Sequence, residues 1–158
     1  MHNQEVARVF YEIANLLEIK GENPFRIRAY RRAAQNIENL AEDITKVIQT
    51  NRKIPGIGQD LMQKIKEIIH TGTLQMYEEL KKEIPPGLLD LVAIPGVGPR
   101  TAKTIYEHYG ITSLDDLEKL CLEHKIQKLP GFKAKTEENI LKGIQLVKKG
   151  RERRPLGL

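Results

Sequence analysis

At 158 residues, 40% of them apolar and 30% charged, the chain reads as a water-soluble globule of one domain or two small ones, with no apolar run near the ~20 residues of a membrane span. Its net charge of +5 gathers at one end, where Lys142, Lys148, Lys149, Arg151, Arg153 and Arg154 face only Glu152, so the preceding sequence is neutral as a whole. This excludes a globule wrapped evenly in a polyanion and leaves local basic patches.

The opening MHNQEVARVFYEIANLL contains acids and lacks a small-residue cleavage site, so it is not a signal peptide. Within it Val6, Val9, Phe10, Ile13, Leu16 and Leu17 recur with the helical period and predict the first helix. KGENP then stops one helix and starts another: Gly21 suits a C-terminal cap, Asn23 an N-cap and Pro24 the first helical position. The second helix carries Ile27, Tyr30, Ala34 and Ile37 on one stripe. Further helices are predicted over 44–49, 59–70, 74–82, 86–92, 99–108, 113–121 and 134–148. Nothing alternates with period two, so an all-α fold is expected. The lone Cys121 excludes an internal disulfide framework, suits a reducing cytoplasm and reads as a small packed apolar residue. The chain is therefore expected to be cytoplasmic, close to the nucleoid in a prokaryote.

The dominant pattern is a repeat. KIPGIG (Lys53–Gly58) and AIPGVG (Ala93–Gly98) each follow a short apolar helix and precede a longer amphipathic one. KLPGFK is a third, degenerate copy in which Lys133 replaces the second glycine. Two lobes are expected: 1–82 with the first hairpin, 83–149 with the second and third, and a basic linker over 150–158. A dinucleotide fingerprint is excluded, because GIGQDL and GVGPRT lack its third glycine and no strand precedes them. A phosphate-binding P-loop is excluded as well, since Val97 and Ala102 stand where VGPRTAKT would need glycine. What remains is a helix–turn–helix unit. Its glycines, Gly56, Gly58, Gly96 and Gly98, let backbone approach a partner, and the amides opening the second helix face an anion.

These units resemble the helix-hairpin-helix, a sequence-nonspecific binder of the DNA backbone. The resemblance extends further. NPFRIRAYRRAA, IPGIG with IIHTGTL, IPGVGPRTAKTIY and the terminal RRPLG together look like the N-terminal region of bacterial and archaeal family X DNA polymerases. That region comprises a small lyase-type domain and a DNA-binding subdomain. The likeness implies binding to gapped, nicked or primer–template DNA during gap filling and base-excision repair, as a monomer, with a palm domain in the full-length protein and no membrane partner. It also implies a monovalent cation, K+ or Na+, held by the backbone carbonyls of Arg52, Ile54 and Ile57 in the first hairpin and of Val92, Ile94 and Val97 in the second.

Polymerisation itself would need a carboxylate trio with a D-x-D pair, and none of Asp43, Asp60, Asp90, Asp115 and Asp116 lies two residues from another. The four histidines show no metal-ligand spacing. The resemblance places a Schiff-base lyase nucleophile at Lys64, a phosphate-binding base at Arg26 and a pocket aromatic at Tyr30. Against that role, Asp60 and Met76 stand where lyase-competent members are basic, and Gln63 replaces a carboxylate. Asp60 is also spaced to pair with Lys64. Two readings of Lys64 stay open, an abasic-site nucleophile or a structural or DNA-contacting side chain. Four arginines, Arg26, Arg28, Arg31 and Arg32, lie with no acid between Pro24 and Asn36 and form a candidate phosphate patch. Arg100 and Lys103 flank the second turn, and Lys133 and Lys135 the third. A scaffold whose hairpins bind a protein is the alternative to DNA binding.

Overall fold

The computed structural model of the chain describes residues 2–152. Its helices are α1 (Asn3–Lys20), α2 (Pro24–Glu38), α3 (Ile44–Gln49), α4 (Gln59–Thr71), α5 (Gln75–Glu83), α6 (Leu88–Val92), α7 (Pro99–Tyr109), α8 (Leu114–Leu122) and α9 (Ala134–Glu152). A short 3₁₀ turn, Ile126–Lys128, precedes α9. Among the described residues there is no strand, and the fold is all-α as expected. The chain divides into two compact units, Met1–Ile84 and Pro85–Leu158.

In the first unit the apolar stripes of α1 and α2 close on one another. Phe10 and Tyr30 are almost wholly buried and meet edge to face, with ring centroids 5.6 Å apart. Side chains of this size contribute about 1.5–3 kcal/mol each when buried, which makes this pair a principal anchor of the unit. The connection obeys its local signals. Gly21 adopts φ +76° and donates to the Glu18 carbonyl while Glu22 donates to Leu17, a Schellman closure; Asn23 Oδ1 then accepts from the Phe25 amide at 2.8 Å. Asn3 holds the start of α3 by donating to the Glu42 carbonyl at 2.8 Å and accepting from the Ile44 amide at 2.7 Å. α3, the following turn and α4 form the first hairpin.

In the second unit α6 and α7 form the second hairpin and α8 and α9 the third. Leu88, Leu91, Ile105, Leu117, Ile140 and Ile144 supply its core. Gly143 lets α9 lie against the second turn: a Cβ there would sit 1.9 Å from the Pro95 carbonyl oxygen.

Several boundaries differ from the sequence expectation by one or more residues. α6 begins at Leu88 rather than Pro86, because Gly87 takes φ +89° and packs where a Cβ would be 2.8 Å from the Thr112 carbonyl. Ser113 is the cap of α8, accepting from the Asp116 amide at 3.1 Å, instead of its first residue. α9 continues through Gly150 and Arg151 to Glu152, so the first three residues assigned to a linker are helical; Arg153, Arg154 and the remainder of that linker lie outside the described residues.

Candidate nucleic-acid interface

The three Pro-Gly turns share one backbone geometry. In each, the amide three residues after the first apolar residue donates back to its carbonyl: Ile57 to Ile54 at 3.1 Å, Val97 to Ile94 at 2.9 Å and Phe132 to Leu129 at 3.0 Å. Proline at the second position and glycine with φ of +78°, +91° and +79° at the third define type II turns. Gly56, Gly96 and Gly131 are thus required by conformation. Gly58 and Gly98 differ, since they cap α4 and α7 in extended backbone, with φ −78° and −95°, and a Cβ on either meets nothing within 4 Å. Neither fold nor packing demands glycine there. The corresponding Lys133 occupies the same place without strain, its carbonyl accepting from the Glu137 amide at 3.1 Å as Gly58 and Gly98 accept from Met62 and Ala102 at 2.9 Å.

The first turn is tied to α2. Asn36 donates its side-chain amide to the Pro55 carbonyl at 2.9 Å, and the Arg32 stem runs beside Gly56. Arg26, Arg28 and Arg32 are exposed, with the Arg28 guanidinium 4.7 Å over the centroid of the exposed Phe25 ring. Arg31 leaves the expected patch: its guanidinium donates to Glu18 Oε2 at 2.6 Å and to Asn15 at 3.3 Å. Arg32 lies about 40° from Arg28 around the helix and Arg31 about 60° the other way, toward α1. The patch that reaches solvent therefore comprises three arginines.

Tyr30, Lys64 and Met76 lie close to one another. The buried Tyr30 hydroxyl donates to Met76 Sδ at 3.3 Å. Burial pushes its pKa up, against the positive charges of Lys64 and Arg26 nearby. Lys64 lines an open groove of about 650 Å³ between α4 and α5 with Gln63, Lys66, His70 and Met76. Its ammonium lies 3.0 Å from Asp60 Oδ1, so the ion pair anticipated from the spacing is formed.

Around the second turn Arg100 is exposed and Lys103 approaches Glu107 at 3.9 Å; around the third Lys133 is exposed and Lys135 lies 3.8 Å from Glu138. Two cations of the basic C-terminal segment are spent internally. Lys148 bonds Glu118 at 2.6 Å and Asp115 at 3.0 Å, and Lys142 bonds Glu138 at 3.2 Å. Among the carbonyls suggested for a monovalent cation, those of Ile54 and Ile94 each accept one turn hydrogen bond, which uses one of two lone pairs. No cluster of three or more His, Cys, Asp or Glu side chains that could hold a metal occurs among the described residues.

Residues 1–74 match the family model of a helix-hairpin-helix domain, and residues 88–145 that of a SAM-like helix-hairpin-helix tandem. Across 157 residues, 99% of this chain, it is 34% identical to the DNA polymerase/3'-5' exonuclease PolX of Bacillus subtilis. Both units of the chain carry helix-hairpin-helix domains, and its sequence is similar to one part of a family X polymerase. It is also 26% identical over 96% of its length to DNA polymerase lambda of Arabidopsis thaliana, and 26% identical over 75% to that of Rattus norvegicus. It spans 27%, 32% and 20% of these three relatives.

Two features of this helix-hairpin-helix region escaped the sequence reading. Glu137 is a buried carboxylate, accepting from the Gln127 amide at 2.9 Å and lying 2.8 Å from His124 Nδ1. Aligning the three turns would have exposed it, because Glu137 occupies the register of Met62 and Ala102, two uncharged positions. Asn36 carries no comparable signal; a lone asparagine in a helix names no partner.

Proposed function

We propose that the chain binds the sugar–phosphate backbone of gapped or nicked DNA without sequence preference, as the DNA-gripping part of a family X polymerase acting in gap filling and base-excision repair. One observation carries the reading: two turns of identical geometry end in a helix-capping glycine that neither φ nor packing requires. A missing side chain at the mouth of a helix, where amides lack intrachain partners, suits close approach of a phosphate oxygen. The open arginines Arg26, Arg28 and Arg32, with Arg100, Lys103, Lys133 and Lys135, supply further phosphate contacts. A K+ or Na+ ion held by the carbonyls of Arg52, Ile54 and Ile57, and by those of Val92, Ile94 and Val97, would add positive charge between turn and phosphate. The protein acts as a monomer in the cytoplasm, joined to a palm domain that supplies polymerase carboxylates. No helix of the described residues is long and apolar enough to cross a membrane.

Binding to a gapped duplex over a salt series tests this. Affinity should fall steeply with salt, with a log–log slope of about −0.9 per phosphate contact, and should be indifferent to sequence. Salt-independent binding, or binding to a protein partner but not to DNA, would overturn it.

A second reading, an abasic-site lyase, is favoured by the grouping of Lys64 with Tyr30 and Arg26 beside the α4–α5 groove. The Lys64 amine would attack the sugar aldehyde, lose water to form a Schiff base and release the 3′ phosphate by β-elimination. Borohydride should trap a covalent adduct on abasic DNA that Lys64→Ala loses; equal trapping in both proteins refutes this reading.

A further inference from the structure

The three turns align residue by residue with the same turn hydrogen bond, and this alignment exposes a charge difference. Two residues beyond the capping position stand Asp60 in the first hairpin, Arg100 in the second and Lys135 in the third. The geometry around them is shared, so the difference lies in the side chain alone. Asp60 is 83% exposed and reaches one helical turn along α4 to hold the Lys64 ammonium at 3.0 Å. Lys64 itself is only 20% exposed, lodged at the edge of the α4–α5 groove near Tyr30. Residue 104, which aligns with Lys64, is a threonine whose hydroxyl bonds back to the Arg100 carbonyl at 3.0 Å. The first hairpin thus carries its own anion on the cation that a phosphate would otherwise meet.

We propose that Asp60 is a positioning residue that weakens the first hairpin's grip on the DNA backbone by occupying Lys64. This deepens the DNA-binding reading and rests on it. A phosphate reaching Lys64 must displace Asp60 and tolerate its negative charge, so that contact is made at a discount.

The test uses the full chain with a single-nucleotide-gapped duplex between about 50 and 200 mM KCl. D60N frees Lys64 and removes the competing charge; it should tighten binding about threefold at about 50 mM KCl and, by adding one phosphate contact, steepen the salt slope by about 0.9. D60E keeps a carboxylate within reach of Lys64 and should match the unaltered chain. The double variant D60N/K64Q should lose most of the gain, since the effect runs through Lys64. Unchanged or weaker binding by D60N overturns the proposal. So does a D60E that behaves as D60N, or a gain that survives in the double variant. The DNA-binding reading is judged separately, by whether the unaltered chain binds the gapped duplex with a salt slope at all.

Discussion

Glycine does two different jobs within the five-residue turns of the first and second hairpins. Gly56 and Gly96 sit at φ +78° and +91°, where any L side chain is strained, and a Cβ on Gly56 would also lie 2.4 Å from the Asn36 amide. Gly58 and Gly98 are in extended backbone facing open space. Threonine caps a helix about as well as glycine, so Gly58→Thr and Gly98→Thr should melt within a few degrees of the unaltered protein. DNA affinity should nevertheless fall about tenfold for each, if the bare backbone is what admits phosphate. Binding that survives both substitutions would show that the second glycine has no such part. Cys121 illustrates the opposite case, a residue with chemistry that burial silences. Desolvation, reinforced by the charges of Glu137 and Glu118, pushes its pKa from 9.0 to about 12. Because the folded value is the higher one, the stabilisation is complete below pH 9 and is lost as the pH rises toward 12. A disulfide reagent at neutral pH should react with Cys121 only at the rate of unfolding, and rapid native-state labelling would contradict this.

At the scale of elements, the third hairpin keeps the turn of the other two but stabilises it differently. Where the first hairpin places Met62 and the second Ala102, the third buries Glu137, whose oxygens accept from the Gln127 amide and lie beside His124. The carboxylate fastens the 3₁₀ turn to α9. Removing it leaves a half-buried amide without its acceptor, which costs about 1 kcal/mol or more. Glu137→Ala should therefore lower the urea midpoint clearly and Glu137→Gln less, because the amide oxygen can still accept. Equal effects from the two would mean that volume rather than hydrogen bonding is at stake. The first hairpin is fixed from outside by Asn36 of α2, and the second by the close approach of Gly143 of α9 to Pro95. Three copies of one motif are thus held by an amide, a bare helix backbone and a carboxylate.

At the scale of the whole molecule, the division after Ile84 leaves each part with its own core. Phe10, Ile13, Leu17, Tyr30, Ile37 and Ile65 are buried in the first unit, and Leu91, Ile105, Leu117, Ile140 and Ile144 in the second. A fragment ending at Ile84 should accordingly fold alone, with a helical circular-dichroism spectrum and a cooperative melt. A fragment that stays unfolded would place part of its stability in the second unit. The charge distribution also changes meaning at this scale. The excess of five positive charges toward the C-terminus looks like an open basic tail in sequence, yet Lys142 and Lys148 are committed to Glu138, Glu118 and Asp115.

Local rules fixed much of this protein. The Pro-Gly dipeptides dictated type II turns, Gly21 and Asn23 dictated where α1 ends and α2 begins, and the apolar periods identified the helices, because each depends on residues a few positions apart. The Asp60–Lys64 ion pair was legible for the same reason, being one helical turn long. Only the tertiary structure decided that Arg31 turns to Glu18 on another helix, that Gly143 receives the Pro95 carbonyl and that Glu137 is buried. It alone tied Asn36 to the first turn and set Tyr30 beside Met76. Those outcomes depend on which helix packs against which face, and helical period says that a face exists without saying what covers it.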